Sequence, residues 1–218
     1  LPFYALNRLS APPGTTRLAL SFRDIPDGPT SGTRVVPPLL RKRVLEAEPE
    51  PGEHILVYVL NDGYGDEISR WHARHPEVVI HGFWDRPGAP VEDRVRPNLT
   101  FHQLSDTLFL EKMRTCRGFV GTAGFESVAE ALWLGKPVMV VPTRNQVEQA
   151  WNAREARAAG AGLAMEAFDL SPFLDYLPTH VDVSPGYRGW VRHGHARVLR
   201  LLEAAAGSGD RVARAGLR

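Results

Sequence analysis

From His54 onward the sequence alternates short apolar runs with longer amphipathic stretches, and no other feature narrows the possible folds as much. The run HILVYVL (54–60) is apolar at nearly every position, which suits a strand buried on both faces. After it come the strand-like segments EVVIHGF (77–83), NLTFHQ (98–103), RGFVG (117–121), PVMVVP (137–142) and GLAM (162–165). Between them, ISRWHARH (68–75), DTLFLEKMRTC (106–116), SVAEALWLG (127–135) and QVEQAWNAREARAAG (146–160) read as helices. NDGYGDE (61–67) reads as a turn, and the stretch after HGF as a Pro-rich loop. Strands alternating with helices over so many units predict an α/β fold, a doubly wound parallel sheet with helices on both faces. A last amphipathic helix is expected near GWVRHGHARVLRLLEAAA (189–206).

Upstream of this pattern, RLALSF (17–22) reads as a short strand and RDIPDGPTSGT (23–33) as a linker, rich in Pro, Gly, Asp and Ser. The expected organisation is therefore residues 1–34 as the tail of an upstream domain and a linker, 35–206 as the doubly wound domain, and 207–218 as a loose tail. The opening residues LPFYALNRLSAPPGTTR have no start-like character, so a further domain is expected before them. With 26 basic and 25 acidic residues the formal charge is +1, too even for a global field that gathers nucleic acid or an acidic membrane. Cys116 is the only cysteine, which excludes an internal disulfide framework; its setting suggests a buried small hydrophobe and fits a reducing cytoplasm. No run approaches the roughly 18 consecutive apolar residues of a membrane span. His72 with His75, and His193 with His195, lack the third Cys, His or acid of a metal-binding pattern, so no metal is expected. No G-x-S-x-G elbow occurs and Cys116 has no evident partner base, which argues against hydrolytic nucleophile chemistry.

Open parallel sheets bind ligands at the carboxyl ends of their strands, where helices begin with unpaired N–H groups. The loops that matter are then NDGYGDE, HQLSD, GTAGFES and PTRNQVEQ. Gly121 and Gly124 let the backbone approach a ligand closely, and the amides from Ala123 through Gly124, Phe125, Glu126 and Ser127 would suit a diphosphate. A Gly-rich turn that serves only packing explains the same residues equally well. Glu130, one turn into the following helix, is expected to look outward, where a carboxylate can accept hydrogen bonds from the paired hydroxyls of a ribose; a solvated helix glutamate is the plainer reading. Glu148, Gln149 and Asn152 open the next helix and offer the donors and acceptors that sugar hydroxyls need, or ordinary capping and surface polarity.

The ordered elements AGFESVAE, GKP, VVP and QAWNA resemble the C-terminal domain of family 28 glycosyltransferases, whose pattern runs S/T-G-[A/G]-x-[S/T]-x-x-E, G-x-P, a strand ending V-P, and Q-x-x-N-A. That group includes the peptidoglycan-precursor N-acetylglucosaminyltransferase, and the match runs from about Val35 to Ala164. The resemblance implies a Rossmann-like domain that is the C-terminal half of a GT-B fold. It gives Glu130 to the ribose, Glu148 and Gln149 to the donor sugar, and Asn152 to the helix start or the sugar. PLLRKRVL resembles the interdomain N-P-V-R and so gives Arg41 to the diphosphate, where a guanidinium fork pairs well with phosphate oxygens. NDGYGDE matches the family's first Gly-rich loop loosely: Asn61 and Asp62 stand for the adjacent glycines, Gly63 and Gly65 keep close approach possible, and Asp62 and Asp66 would repel a diphosphate. The loop from Phe101 to Asp106 falls where the family clasps the base, which places His102 or Leu104 in that pocket.

The implied reaction moves a sugar from a nucleoside diphosphate donor, UDP-linked, to an acceptor hydroxyl held by an upstream domain or subunit. It needs no cofactor or metal, and its general base is expected in that upstream domain, which would also contact a membrane or lipid-linked acceptor. Two other readings keep the same site: a UDP-sugar hydrolase or 2-epimerase of this architecture, and a non-catalytic donor-binding subunit. Nucleic acid is not an expected partner.

Overall fold

The computed structural model describes residues 15–27, 32–60 and 62–215. By internal contacts the chain divides into two units, Leu1–Leu39 with Gly189–Arg218, and Leu40–Arg188.

In the first unit, strand β1 (Arg17–Leu20) pairs in parallel with β2 (Thr33–Val36), Arg17 standing opposite Thr33. The second strand begins at the end of the stretch that reads as a linker, and Asp27 braces it. The Asp27 carboxylate accepts from the Val35 backbone N–H at 2.9 Å and from Arg34 at 3.3 Å, and it is ion-paired with Arg197. Trp190 donates its indole N–H to the Ser21 carbonyl at 3.0 Å. Arg197 and Trp190 lie on the last helix, which spans Ser184–Ala215.

The second unit holds a seven-stranded sheet. Its strands are β3 (Ile55–Tyr58), β4 (Ile80–Trp84), β5 (Glu92–Arg96), β6 (Leu99–Gln103), β7 (Gly118–Gly121), β8 (Val138–Val140) and β9 (Gly162–Ala164). Across the sheet they run β5-β6-β4-β3-β7-β8-β9, all parallel except β5, which is antiparallel to β6. Helix α1 (Lys42–Leu45) precedes the sheet. Helices α2 (Asp62–His72), α3 (Asp106–Thr115), α4 (Phe125–Trp133) and α5 (Val147–Ala158) follow β3, β6, β7 and β8 in turn. After β9 come α6 (Ser171–Tyr176), a 3-10 turn at Leu177–Thr179 and the final helix, α7. The expected doubly wound α/β architecture is present, with a mostly parallel sheet between helices.

Two local expectations differ. NDGYGDE is not a turn: α2 starts at Asp62, so Gly63 and Gly65 lie inside its first turns, while Asn61 lies outside the described residues. A Cβ at Gly65 would meet the Trp84 ring at 3.0 Å, so the absent side chain serves contact between helix and strand. The Pro-rich loop contains β5, whose sequence EDRVR is charged and largely exposed, as an edge strand protected from further pairing should be.

Successive strand residues face opposite sides of the sheet. One side gathers Ile55, Val57, Ile80, Trp84, Leu99, Phe101, Val120 and Met139 with Phe168 and Phe173 into the main core cluster. The other carries Leu56, Phe83 and Phe119, on which α3 sets Phe109, its ring 5.4 Å from Phe83 and 6.3 Å from Phe119. On that same side His81 and His102 share a 3.0 Å hydrogen bond between Nδ1 and Nε2, and the His54 ring meets His81 edge-on at 5.0 Å. Burial pushes His81 down to about 4. Cys116 is buried and unpaired, and burial pushes its thiol up to about 12. Next to it, the buried Lys136 ammonium donates to the carbonyls of Glu50 at 2.8 Å and Cys116 at 2.9 Å. Among the described residues no helix is long and apolar enough to cross a membrane.

Candidate functional site

The strand order decides where a ligand can sit. Strands β3 and β7 are neighbours, β4 and β6 lie outward of β3, and β8 and β9 lie outward of β7. Chain connections therefore reverse direction between β3 and β7, and the loops leaving their carboxyl ends diverge to open a crevice. Tyr58, the last residue of β3, stands in register with Gly121, the last of β7.

The turn from β7 into α4 is held in an unusual conformation. Ala123 is buried at 1% exposure and has φ +60°, the left-handed region that L residues other than Asn and Asp rarely adopt. Asn152, one turn into α5, donates Nδ2 to the Ala123 carbonyl at 3.0 Å and ties the turn to the next helix. Gly124 follows as the N-cap residue of α4, and no side chain caps the helix there. The turn leaves the N-terminus of α4, from Phe125 to Ser127, at the carboxyl end of β7, the end of a parallel sheet where helix dipoles present their positive ends. Gly121 has a different duty: a Cβ there would lie 2.9 Å from the Phe119 ring, so the gap is filled by packing.

Arg41 and Glu130, assigned by the sequence to diphosphate and ribose, are bonded to each other. Arg41 Nε donates to Glu130 Oε1 at 2.7 Å and Nη2 to Oε2 at 2.9 Å. Glu130 does not look outward as expected; its side chain is 6% exposed, against 41% for Arg41. Helix α4 is apolar on most of its surface, with Val128, Ala129, Ala131, Leu132 and Trp133 all buried, so no wide solvent face remains for Glu130. The hydrogen bonding that Arg41 donates to the Glu130 carboxylate is the leading cause raising the Arg41 pKa above its ordinary value. Asp106, at the start of α3, lies 3.6 Å from Arg41 Nη1.

At the start of α5, Glu148 is exposed. Gln149 Oε1 accepts from the Thr143 backbone N–H at 2.8 Å, which fixes the loop between β8 and α5. Gln149 and Asn152 thus each commit one amide atom to holding a loop, which sequence reasoning had weighed as ordinary capping. His102 was expected beside a base; it is buried at 4% with its ring committed to His81, because an alternating strand turns it under α3. Leu104, on the loop after β6, is 46% exposed and remains at the carboxyl edge. Gly63 lies at the same edge, in the first turn of α2.

Sequence reasoning missed Tyr58. Burial first, then the carboxylates of Asp85, Asp106 and Glu126, push its phenol above the ordinary value, so the last residue of β3 carries a neutral O–H at the carboxyl end of the sheet. A polar tip on the last residue of an otherwise apolar strand was the available signal.

The family profile described as glycosyl transferase family 1 matches residues 4–178. A comparison with curated proteins finds no match. Among solved structures, the glycosyltransferase of kitacinnamycin superposes with a TM-score of 0.60 at 19% identity, over 79% of this chain and 49% of that one. CalG4, the calicheamicin glycosyltransferase, gives 0.55 at 19% identity over 81% and 47%. The spinosyn rhamnosyltransferase SpnG complexed with thymidine diphosphate gives 0.50 at 17% identity over 81% and 53%. At such identities the likeness is one of fold, that of GT-B glycosyltransferases, and the chain spans about half the length of these structures.

Proposed function

The chain belongs to glycosyl transferase family 1, and from that premise we propose that it is the donor-binding half of a two-domain glycosyltransferase. On this reading it holds a nucleoside diphosphate sugar, UDP-linked, while an upstream domain presents the acceptor hydroxyl and the general base. Residues 35–206 would then be the donor domain, and the donor-site pattern that of the family 28 type. One observation supports the reading: at the point where the strand connections reverse, the Ala123 turn, at φ +60°, is tied by Asn152 and leads directly into the N-terminus of α4, whose first amides would meet the diphosphate. Backbone strain costs stability and persists where the surrounding structure enforces it, which is common at ligand clamps.

In this mechanism the bond between the anomeric carbon and the diphosphate breaks, and negative charge builds on the leaving phosphate. The amides of Phe125, Glu126 and Ser127 and the α4 dipole stabilise that charge, with the neutral Tyr58 phenol as a further donor. Glu130 accepts the ribose hydroxyls. Glu148, together with the Gln149 Nε2 and Asn152 Oδ1 atoms left over from loop bonding, faces the sugar, and Leu104 borders the base.

Calorimetric titration with UDP, TDP, GDP and ADP tests this. UDP is expected to bind, and Glu130→Ala to weaken it by about 1.5 to 3 kcal/mol, the worth of hydrogen bonds to a charged group. Absence of binding by all four nucleotides would overturn the reading, and equal affinity in Glu130→Ala would remove that residue from the site.

A further inference from the structure

The Arg41–Glu130 pair bears on which part of the nucleotide Arg41 serves. Among the described residues, Arg41 supplies the only hydrogen bonds that reach the Glu130 carboxylate. The two partners differ sharply in exposure: the Glu130 side chain is 6% exposed and the Arg41 side chain 41%. A carboxylate so buried is costly unless paired, and without its guanidinium nothing would hold its plane in this orientation. The fork donates through Nε and Nη2, the edge that matches the two carboxylate oxygens, and so fixes the plane in which those oxygens lie. An ionised carboxylate has about four acceptor positions, of which this fork takes two. The remaining positions are those a pair of vicinal hydroxyls would use.

Resting on the functional reading above, we propose that Arg41 is a positioning residue of the pentose subsite: it holds the Glu130 carboxylate in the orientation that accepts the ribose hydroxyls, and so governs affinity for the nucleoside part of the donor. The diphosphate is left to the α4 amides and Tyr58. The Nη1 edge of Arg41 is turned toward Asp106, 3.6 Å away, whose side chain is 89% exposed; a carboxylate on that side disfavours a phosphate there. Local structure brings the pair together, since Arg41 is the N-cap residue of α1 and α1 packs against α4.

Uridine, which carries no phosphate, separates the two roles. Binding of uridine and of UDP is measured by calorimetry on the whole chain for wild type, Arg41→Ala, Arg41→Gln, Glu130→Ala and the double variant Arg41→Ala/Glu130→Ala. The proposal expects Arg41→Ala to lower both affinities by the same factor, about tenfold or more. It also expects no further loss of uridine affinity when Arg41→Ala is added to Glu130→Ala, a non-additivity that general damage to the fold would not produce. Arg41→Gln keeps a side chain of similar length and provides the same comparison should Arg41→Ala fail to fold. Loss of UDP affinity with uridine affinity unchanged would make Arg41 a phosphate ligand and overturn the proposal. Failure of the wild type to bind either compound would overturn the donor-site reading itself, a distinct outcome.

Discussion

Replacing Asn152 by Ala tests whether the turn before α4 is under tension and whether that tension serves binding. The Asn152 Nδ2 to Ala123 carbonyl bond is 3.0 Å long, and Ala123 is 1% exposed, so water cannot easily replace the lost donor. Losing the bond should cost about 1 to 2 kcal/mol of folding stability, the range for a carbonyl left without its partner. For a chain of this length that is a fall in Tm of roughly 2 to 8 °C. Ala123 itself, at φ +60°, carries about 1 to 2 kcal/mol of left-handed strain that a glycine would not. Ala123→Gly relieves that strain, but it adds about 0.4 to 1 kcal/mol of unfolded-state freedom and removes a buried methyl worth about 0.8 kcal/mol, so its own effect should be small. The informative quantity is the coupling. With Ala123→Gly in place the turn keeps its shape without the tether, and Asn152→Ala should cost about 0.5 to 1 kcal/mol less than in the wild type. Urea unfolding of the four proteins measures the cycle, and calorimetry with UDP measures its consequence. Asn152→Ala should bind UDP more weakly, and Ala123→Gly/Asn152→Ala should recover part of the loss. Costs that add within about 0.3 kcal/mol, with UDP affinity unchanged throughout, would refute the idea that the tether preorganises the amides.

Two further outcomes concern stability. Burial holds His81 near 4 in the folded chain, while the unfolded chain titrates at its ordinary value near 6.5. The unfolded state therefore binds more protons between these values, and stability is full above about pH 6.5 and declines as pH falls toward 4, by less than the full shift would give because solvent screens this half-buried ring. Urea midpoints measured from pH 7.5 to 4.5 should show that decline, and His81→Gln should flatten it; an equally steep acid limb in the variant would count against the His81–His102 pair as its cause. Lys136→Met leaves the Glu50 and Cys116 carbonyls without their 2.8 and 2.9 Å donor, and should lower stability by about 2 to 4 kcal/mol in the same assay. A change under about 0.5 kcal/mol would mean the two carbonyls find other partners.

The sequence by itself determined the sheet and the place to look. HILVYVL, RGFVG and PVMVVP are apolar at nearly every position and are separated by segments of helical period, a pattern that only a parallel sheet covered on both sides can bury. That architecture puts ligands at the strands' carboxyl ends, and so sequence alone singles out the segment from Gly121 to Asn152. These are inferences from neighbours along the chain, where the spacing of apolar residues carries the information.

Contacts between distant segments left no such trace. Arg41 and Glu130 are 89 residues apart, and their meeting depends on α1 lying against α4. The apolar surround of Glu130, which turns a presumed outward glutamate into a buried one, arises from what packs on α4 and not from the helix's own period. His102 belongs to a strand whose alternation could point it to either face; pairing of β6 with β4 in the observed register, with α3 above, put it against His81. The charged strand β5 exists because β6 offers it an open edge. Sequence periodicity says which side of an element is buried, while register and packing decide which charges share that burial. In this protein the latter determine how the candidate ribose carboxylate is held.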